Sequence, residues 1–401
     1  MRVNELKTFI VGNPPPCFGG RYFIFVKLKT DSGIEGIGEV YGASFSPHVI
    51  EKMIEDVFIH HLEGKDPHKI ELLWRAVYGR GYSLRPDPSL VGVLSGLEIA
   101  CWDIIGKAAG KPIFQLLGGQ VRDRLRCYTY LYPKESETLE QKYPEVYTNP
   151  EVAAERAAEY VHEGFTAVKF DPAGPYSIFD GRQPTLEDTA RSETFMSRIR
   201  EAVGNKADLL FGTHGQFTTS GAIRLAKRIE FADPLWFEEP VPPEMPEELA
   251  RVARATSIPI ASGERLTTKY EFARILDLCA AAILQPALGR VGGLLEAKKI
   301  ASMAEVKYAQ VAPHLYCGPI EGAANIQLAT CTPNFLILES IGTWDGFHAK
   351  ILKKPIQWEN GYVIPPKEPG LGVELNEEIA LAHPYNEDQL HLEMSEEEHT
   401  P

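Results

Sequence analysis

Apolar and polar residues follow two different patterns along the chain. In the first 120 residues, two apolar-rich segments, 21–30 and 35–40, flank an Asp-Ser-Gly turn, which predicts a β-hairpin. Apolar residues then recur with helical spacing through residues 48–62, 69–77 and 91–108. Strands followed by helices predict an α+β unit that ends near residue 120.

Beyond residue 125, the chain contains eight short apolar runs that each end in a polar or turn residue. The runs are RCYTYLY (126–132), TAVKFD (166–171), DLLFGTHG (208–215), LWFEEP (235–240), PIASGE (259–264), AAILQP (281–286), AQVAPH (309–314) and FLILES (335–340). Seven stretches with helical spacing lie between them, at 151–163, 187–203, 220–229, 243–255, 269–278, 292–303 and 320–329. Strict alternation of buried strands and helices predicts an α/β fold with a parallel, TIM-like barrel.

An open, doubly wound sheet is the alternative architecture. Such a sheet would not need eight strands in about 215 residues, and no Gly-x-Gly-x-x-Gly turn follows the first strand. The chain has 401 residues, of which 44% are hydrophobic and 24% charged, an ordinary globular composition. This length has room for one large domain and a smaller one.

Charge and cysteine usage exclude several classes of protein. Lys and Arg total 41 against 55 Asp and Glu, a formal net charge of −14, which argues against a nucleic-acid partner. We expect no membrane association and a cytoplasmic location, because the chain lacks a signal-like start and an apolar segment of about 18 residues. Six scattered cysteines fit reduced thiols, and Cys317 could be either a nucleophile or a buried core thiol.

Ionisable residues recur at the ends of the predicted barrel strands. They are Lys169, Asp171, His214, Glu238, Glu239, Glu264, His314 and Glu339, together with the amide Gln285. In parallel barrels the active site lies at the C-terminal ends of the strands. The sequence therefore predicts that these side chains converge on one rim, where packing alone would not require them.

Glu238 and Glu264 provide oxygen ligands on neighbouring strands, which suits Mg²⁺. Each could instead be a strand-end charge that pairs with a lysine. Lys169, beside such a carboxylate, is a candidate general base, and His314 is expected across the barrel mouth from it. His314 alone could also be a core histidine that donates to a backbone carbonyl. Glu339, if protonated, could hydrogen-bond a substrate carboxylate.

Longer motifs carry a family resemblance over residues 1–375. They are GIGEVYG (36–42), LEIACWDIIGKAAGKPIFQLLGG (97–119), AVKFD (167–171), WFEEP (236–240), ASGER (261–265), RVGGLLEAKKIASMAE (290–305), APH (312–314) and PGLGVEL (369–375). With these motifs the chain resembles the enolase superfamily, specifically the mandelate racemase-like subgroup with its galactonate, mannonate and galactarate dehydratases.

The resemblance implies a (β/α)₇β barrel, residues 121–349, under an α+β capping domain, residues 1–120, completed by about 350–401. It implies Mg²⁺ held through Glu238 and Glu264, with a substrate carboxylate chelated to that ion. It further implies abstraction of the proton next to the carboxylate, loss of the 3-hydroxyl and formation of a 2-keto-3-deoxy acid. A small acid sugar would be the partner, and the protein would be a homo-oligomer, from a dimer to an octamer.

Three positions depart from the family pattern. Gly212 stands where the first metal ligand is an aspartate, Ala287 stands where an aspartate normally faces the seventh-strand histidine, and Asp171 replaces the second lysine of a Lys-x-Lys pair. Asp171 could supply the carboxylate that Gly212 lacks, with His214 as the general acid. Alternatively, His214 ligates the metal itself, or water fills the position.

The loss of the aspartate at Ala287 should lower the basicity of His314 and leave its tautomer less defined. Lys169 is then the expected α-proton abstractor, with His314 secondary. A racemase or epimerase and a catalytically silent binding or regulatory protein are the other hypotheses. Substrate choice is expected from two loops of the capping domain, 13–23 and 78–88, with Arg21, Tyr22, Tyr82 and Arg85 as the candidate contacts.

Overall fold

The computed structural model describes residues 1–42, 44–134 and 144–397. The N-terminal capping domain begins with an antiparallel sheet of three strands in the order β1-β2-β3. Its elements are β1 (Val3–Gly12), β2 (Tyr22–Thr30), β3 (Glu35–Val40), α1 (Pro47–His61), α2 (Ile70–Tyr78), α3 (Pro88–Ala109) and the short α4 (Ile113–Leu116). The predicted hairpin is confirmed as β2 and β3, and the three predicted helices are present.

Strand β1 was missed by the sequence analysis. It lies at one edge of the sheet, and several of its side chains face solvent, so its apolar pattern is weak. Helix α3 is long and apolar enough to cross a membrane, the one such helix in the described residues, and most of it is buried inside the protein. The same helix packs on β3 and is therefore the central helix of the capping domain.

Eight parallel strands form the second part of the chain. They are β4 (Leu125–Tyr130), β5 (Ala167–Phe170), β6 (Asp208–Gly212), β7 (Trp236–Glu238), β8 (Ile260–Ser262), β9 (Ile283–Leu284), β10 (Gln310–Val311) and β11 (Leu338–Ser340). The helices between them are α5 (Pro150–His162), α6 (Leu186–Val203), α7 (Thr219–Ile229), α8 (Pro246–Ala253), α9 (Lys269–Asp277), α10 (Leu294–Val306) and α11 (Pro319–Thr330).

Pairing between the strands closes them into a barrel. Each strand from β4 to β9 pairs in parallel with the next, and β11 pairs in parallel with β4. A parallel bridge between Val311 and Phe335 joins β10 to the segment that leads into β11. The predicted fold class, an α/β barrel with a capping domain, is confirmed, and the open doubly wound sheet is excluded.

The C-terminal segment returns from the barrel to the capping domain. It contains α12 (Gly346–Lys350), β12 (Trp358–Glu359), β13 (Tyr362–Val363) and α13 (Glu377–Ala382). Strand β13 pairs antiparallel with β4, and Pro384 forms a bridge to Val11 of β1. The boundaries of the two domains, near residues 120 and 350, stay predictions.

Carboxylates of the capping domain bind the amino ends of two barrel helices. Glu39 of β3 accepts N–H bonds from Gly318 (2.6 Å) and Glu321 (2.8 Å) at the start of α11. Glu98 of α3 does the same for the first turn of α10, where the backbone N–H groups have no partner within the helix. These contacts attach the capping domain to the barrel rim at which the strands end.

Cys317 belongs to the same contact region. Its thiol is buried and donates to Glu321 Oε2 at 2.8 Å. Burial, with Glu321 and Glu39 nearby, raises the pKa of this thiol well above its ordinary value. A thiol that stays protonated is a poor nucleophile, so these contacts favour the core role for Cys317.

We expect Glu39→Ala to lower the free energy of unfolding by about 2–4 kcal/mol, because two buried N–H groups of α11 lose their acceptor. Glu39→Gln keeps an oxygen acceptor and should cost less. Urea unfolding at pH 7 measures both variants, and Glu63→Ala, at an exposed position of the same domain, is the matched control. Equal losses for Glu39→Ala and Glu63→Ala would contradict the role of Glu39 as a cap.

His348 makes stability depend on pH. Burial lowers its pKa to about 4, and its Nε2–H donates to the carbonyl of Cys317 at 3.0 Å. The unfolded chain takes up this proton near pH 6.5 and the folded protein only near pH 4. The free energy of unfolding should therefore fall between these values as the pH is lowered, by on the order of 3 kcal/mol from this group.

Urea unfolding between pH 7 and pH 4 tests this expectation. His348→Gln keeps a donor for the Cys317 carbonyl but does not titrate. The variant should therefore lose less stability than the wild type over this pH range. Parallel pH profiles for the two proteins would show that the proton on His348 is not responsible.

Candidate active site

The structure brings the residues expected at the strand ends together on one rim of the barrel. Lys169, Glu238 and Glu339 lie on β5, β7 and β11, while His214, Glu264 and His314 follow β6, β8 and β10 directly. His214 has about a quarter of its side chain exposed, and the others are nearly buried. Parallel strands that end at a common edge place these residues, which are far apart in sequence, in one cluster.

Lys169, Glu339 and His314 form a chain of charged contacts across the rim. Lys169 Nζ lies 2.5 Å from Glu238 Oε1 and 3.7 Å from Glu339 Oε1. His314 Nδ1 lies 3.0 Å from Glu339 Oε2 and 3.4 Å from Glu264 Oε2. Lys169 and His314 therefore share Glu339 and each contact a second carboxylate.

The pKa values follow from these contacts. Burial by itself lowers the pKa of Lys169, but Glu238, Glu339 and Glu264 outweigh it, so that its pKa lies above the ordinary value. Burial also disfavours a proton on His314, yet Glu264 and Glu339 raise its pKa. Burial raises the pKa of Glu339, and Lys169 and His314 reverse that effect and hold it below the ordinary value. The hydrogen bond to a substrate carboxylate that Glu339 could make if it were protonated does not fit these contacts.

The expectation that the loss of an aspartate at Ala287 lowers the basicity of His314 was wrong. Ala287 does form a parallel bridge with His314, so the position noted in the sequence is adjacent as expected. Glu339, however, lies beside Nδ1 and supplies the carboxylate that Ala287 cannot. The basicity of His314 is consequently raised rather than lowered.

His214, Glu238 and Glu264 form a group that can hold a divalent metal ion. One ligand atom from each lies within 4.8 Å of the others. Glu264 Oε2 is buried and has no hydrogen-bond partner among the described residues, as expected of an atom placed for a ligand. Glu238 is oriented by Trp236 Nε1 (3.0 Å) and Gln285 Nε2 (2.8 Å), which both donate to its Oε2. Two carboxylates and an imidazole are a suitable donor set for a divalent cation.

Asp171 lies behind His214 rather than within this group. Its Oδ2 is 2.8 Å from His214 Nδ1 and accepts a hydrogen bond from the Tyr176 hydroxyl at 2.7 Å. The other ring nitrogen, Nε2, faces Glu264 Oε1 at 4.0 Å. A carboxylate on one nitrogen of a histidine that offers the other to a metal is a recurrent arrangement. The geometry thus favours the interpretation in which His214 is the ligand, and Asp171 as a direct ligand stays untested.

Local backbone geometry supports this placement. A Cβ atom on Gly212 would lie 3.3 Å from Lys169 Cε, which is a tight contact, and 3.9 Å from Asp171 Oδ2, which is an ordinary van der Waals distance. His214 has a φ of 44°, in the left-handed region that non-glycine residues rarely adopt. Such strain is typical of functional positions.

Several residues near the site were missed by the sequence analysis. Tyr41 of the capping domain stacks near His314, with ring centroids 6.3 Å apart. The Arg290 guanidinium lies 4.2 Å from the Tyr41 ring and donates to the Glu264 carbonyl at 3.3 Å. Tyr176 and His391 belong to a loop and to the C-terminal segment, where no periodic pattern marks single residues.

The four loop residues proposed as substrate contacts fall into two groups. Tyr22 is buried against the rings of Tyr385 and His391, and Arg21 Nη1 contacts the Leu390 carbonyl and the Glu393 carboxylate. Both therefore contact the C-terminal segment. Tyr82 and Arg85, in contrast, lie on an exposed loop, and the Tyr82 side chain is fully exposed.

Comparisons with known proteins identify relatives over nearly the whole chain. Residues 152–379 match the family model for the enolase C-terminal domain-like fold, and residues 17–118 match the mandelate racemase / muconate lactonizing enzyme N-terminal domain. Among solved structures, a candidate mandelate racemase/muconate lactonizing enzyme from Labrenzia alexandrii DFL-11 is 64% identical. It has a TM-score of 0.97, and the match covers 100% of both chains.

Two relatives of named activity are more distant. A D-galactonate dehydratase from Ralstonia nicotianae is 33% identical, and the match covers 95% of this chain and 94% of the relative. A D-xylonate dehydratase from Haloferax volcanii is also 33% identical, over 94% of this chain and 87% of the relative.

Proposed function

Because the chain belongs to the mandelate racemase/muconate lactonizing enzyme group of the enolase superfamily, we propose that it is a hydro-lyase that dehydrates an aldonic or aldaric acid. The observation that supports this proposal is a group of metal ligands flanked by Lys169 and His314, each in contact with Glu339. The two relatives of named activity both dehydrate sugar acids, which supports the reaction class rather than a substrate.

His214, Glu238 and Glu264 would hold the divalent ion, for which we propose Mg²⁺. When bound, the ion supplies positive charge that stabilises a substrate carboxylate as its α-carbon becomes electron-rich. Asp171 would orient His214 through Nδ1, and Tyr176 would hold Asp171 in place. Gln285 and Trp236 would keep the Glu238 carboxylate turned toward the site.

His314 is the better candidate for the α-proton acceptor, which reverses the order expected from the sequence. Its Nδ1 faces Glu339, so Nε2 is left to take the proton from the α-carbon. Lys169 is held as an ammonium between Glu238 and Glu339 and can donate a proton.

The electrons of the broken C–H bond first move into the substrate carboxylate, so the α-proton can exchange before water is lost. They form the C2=C3 double bond when the C3–O bond breaks. Lys169 protonates the departing hydroxyl, which leaves as water. The resulting enol tautomerises to a 2-keto-3-deoxy acid.

Incubation of the metal-loaded protein with a panel of aldonic and aldaric acids tests the proposal. We expect a 2-keto-3-deoxy product from at least one member, detected by NMR. Glu238→Gln, which removes a ligand, is the matched inactive variant. A metal-loaded protein that forms no product and exchanges no α-proton would support the silent, binding or regulatory role instead.

A racemase or epimerase is the second candidate. The observation in its favour is that Lys169 and His314 both contact Glu339 and so flank one site, as two bases on opposite faces of a substrate would. Exchange of the α-proton in deuterated water with inversion, but without loss of water, would identify this activity. The cytoplasmic location and the assembly of two to eight copies also remain proposals.

A further inference from the structure

The C-terminal segment beyond α13 crosses the capping domain and reaches the barrel. We call residues 383–397 the C-terminal strap. Its start bonds to β1, where the Gly12 N–H donates to the His383 carbonyl at 2.8 Å. Its end pairs with the loop after β5, because Ser395 exchanges backbone hydrogen bonds with Tyr176 and Ile178 at 3.0 Å each. The strap therefore joins the capping domain to the loop that carries Tyr176.

His391 lies in the middle of the C-terminal strap and is only 4% exposed. Its Nε2–H donates to the Gly19 carbonyl at 3.0 Å. A Cβ atom on Gly20 would clash with the same ring nitrogen, so the loop at residues 19–20 closes tightly on the imidazole. The ring is thus fixed in one orientation by the capping domain.

The other nitrogen of His391, Nδ1, is buried and has no hydrogen-bond partner among the described residues. Because Nε2 carries the hydrogen that it donates to Gly19, Nδ1 of the neutral ring is an acceptor. Burial, aided by Arg290, lowers the pKa of His391 to about 3, so the ring stays neutral. A buried acceptor without a donor is costly unless a ligand supplies the donor.

Aromatic rings place this acceptor beside the proposed catalytic residues. The ring centroids of Tyr22, Tyr41 and Tyr316 lie 5.5, 5.2 and 5.9 Å from that of His391. Tyr41 also stacks near His314, so one ring separates the two imidazoles. Tyr41 therefore lies between His391 and His314, which places the His391 ring on the capping-domain side of the proposed active site.

We propose that His391 is a substrate-binding residue, whose Nδ1 accepts a hydrogen bond from a hydroxyl at the distal end of the substrate, and that the enzyme consequently prefers aldonates to aldarates. This inference rests on the proposed dehydratase function. A terminal hydroxyl can donate to Nδ1, whereas a terminal carboxylate has no hydrogen to donate and would face the nitrogen lone pair.

The contacts of Arg21 and Arg290, two cations near His391, agree with a preference for aldonates. Arg21, a cation that could receive a distal carboxylate, already pairs with Glu393 of the C-terminal strap at 3.2 Å. The Arg290 guanidinium stacks on Tyr41 and donates to the Glu264 carbonyl. Both cations are thus engaged by groups of the protein.

Matched pairs of acids test the proposal, with the metal-loaded wild type and three variants. Galactonate and galactarate, or gluconate and glucarate, differ only in the terminal group. His391→Gln keeps a donor near Nε2 but loses the acceptor, whereas His391→Asn keeps an amide near Nδ1. Asp388→Asn, at an exposed position of the C-terminal strap, is the control.

We expect the wild type to have at least a tenfold lower KM for the aldonate of a pair. His391→Gln should raise that KM about tenfold with kcat changed less than threefold, and His391→Asn should raise it less. Melting temperatures within about 2 °C of the wild type would exclude a purely structural effect.

Preference for the aldarate, or an unchanged KM in His391→Gln, would overturn the role of His391 and leave the dehydratase proposal intact. So would a lower melting temperature of this variant without a change in KM. If the metal-loaded wild type forms no product from any acid of the wider panel, the dehydratase proposal fails and the role of His391 fails with it.

Discussion

His314→Asn is expected to lower kcat by about 10³-fold or more and to abolish exchange of the substrate α-proton in deuterated water. Asparagine keeps a donor that can reach Glu339, which lies 3.0 Å from Nδ1, but it has no group that accepts a proton at the position of Nε2. The three proposed metal ligands keep their identity in this variant. Because His314 Nδ1 lies 3.4 Å from Glu264 Oε2, the metal affinity of the variant is measured as well. Single-turnover measurements by NMR report the exchange directly.

Lys169→Met is compared with His314→Asn, because it removes the other candidate for the base. It removes the ammonium that contacts Glu238 and Glu339 without adding a polar group. If Lys169 is the acid, the variant should still exchange the α-proton within about tenfold of the wild type while water loss slows by about 100-fold. The reverse pattern, exchange lost in Lys169→Met and kept in His314→Asn, would restore Lys169 as the base.

The sequence favours Lys169 as the base and the structure favours His314, because one contact of His314 could not be predicted from the sequence. The family pattern places an aspartate beside the seventh-strand histidine, and Ala287 occupies that position. From the sequence alone, we therefore expect the basicity of His314 to be lowered. In the structure Glu339, 25 residues later in the chain, fills the gap from β11. A contact between side chains of neighbouring strands depends on rotamers and register, which no periodic pattern reveals.

The barrel itself could be predicted, because buried strands and amphipathic helices repeat with regular spacing. Polar residues at the ends of those strands then had to meet on one rim, and Lys169, Glu238, Glu264, His314 and Glu339 do so. The edge strand β1 was missed because its polar residues face solvent and weaken the alternation.

The role of Asp171 could not be decided in this way. The strand order showed that it lies beside Gly212, which is correct, but both a direct metal contact and a contact through His214 were compatible with that position. His391 could not be predicted as a site residue, since it lies some 50 residues beyond the last barrel strand in a segment without regular structure. Its place is set by the hydrogen bond of its own side chain to the Gly19 carbonyl and by the backbone hydrogen bond between Ser395 and Tyr176.

The affinity for divalent metal should identify the third ligand. If His214 binds the ion, His214→Ala should weaken binding at least 100-fold, about as much as Glu238→Gln. Asp171→Asn should weaken it about 10- to 100-fold, because a partner behind a metal-bound histidine sets its tautomer and orientation. Titration calorimetry with Mg²⁺ and Mn²⁺ measures these affinities without any substrate.

The two interpretations of the metal site predict opposite rankings of the His214 and Asp171 variants by metal affinity. If Asp171 were the direct ligand and His214 only an acid, Asp171→Asn would cost as much as Glu238→Gln, and His214→Ala would leave the affinity unchanged. Tyr176→Phe is the control, because it removes the other hydrogen bond to Asp171 Oδ2 and leaves the contact with His214.

The identity of the preferred ion provides a second test. An imidazole donor suits later divalent metals better than Mg²⁺, so Mn²⁺ should bind the wild type more tightly than Mg²⁺. The difference between the affinities for Mn²⁺ and Mg²⁺ should be smaller in His214→Ala, because the remaining carboxylates do not favour Mn²⁺. An equal loss of affinity for both ions in this variant would show that the His214 nitrogen is not a ligand.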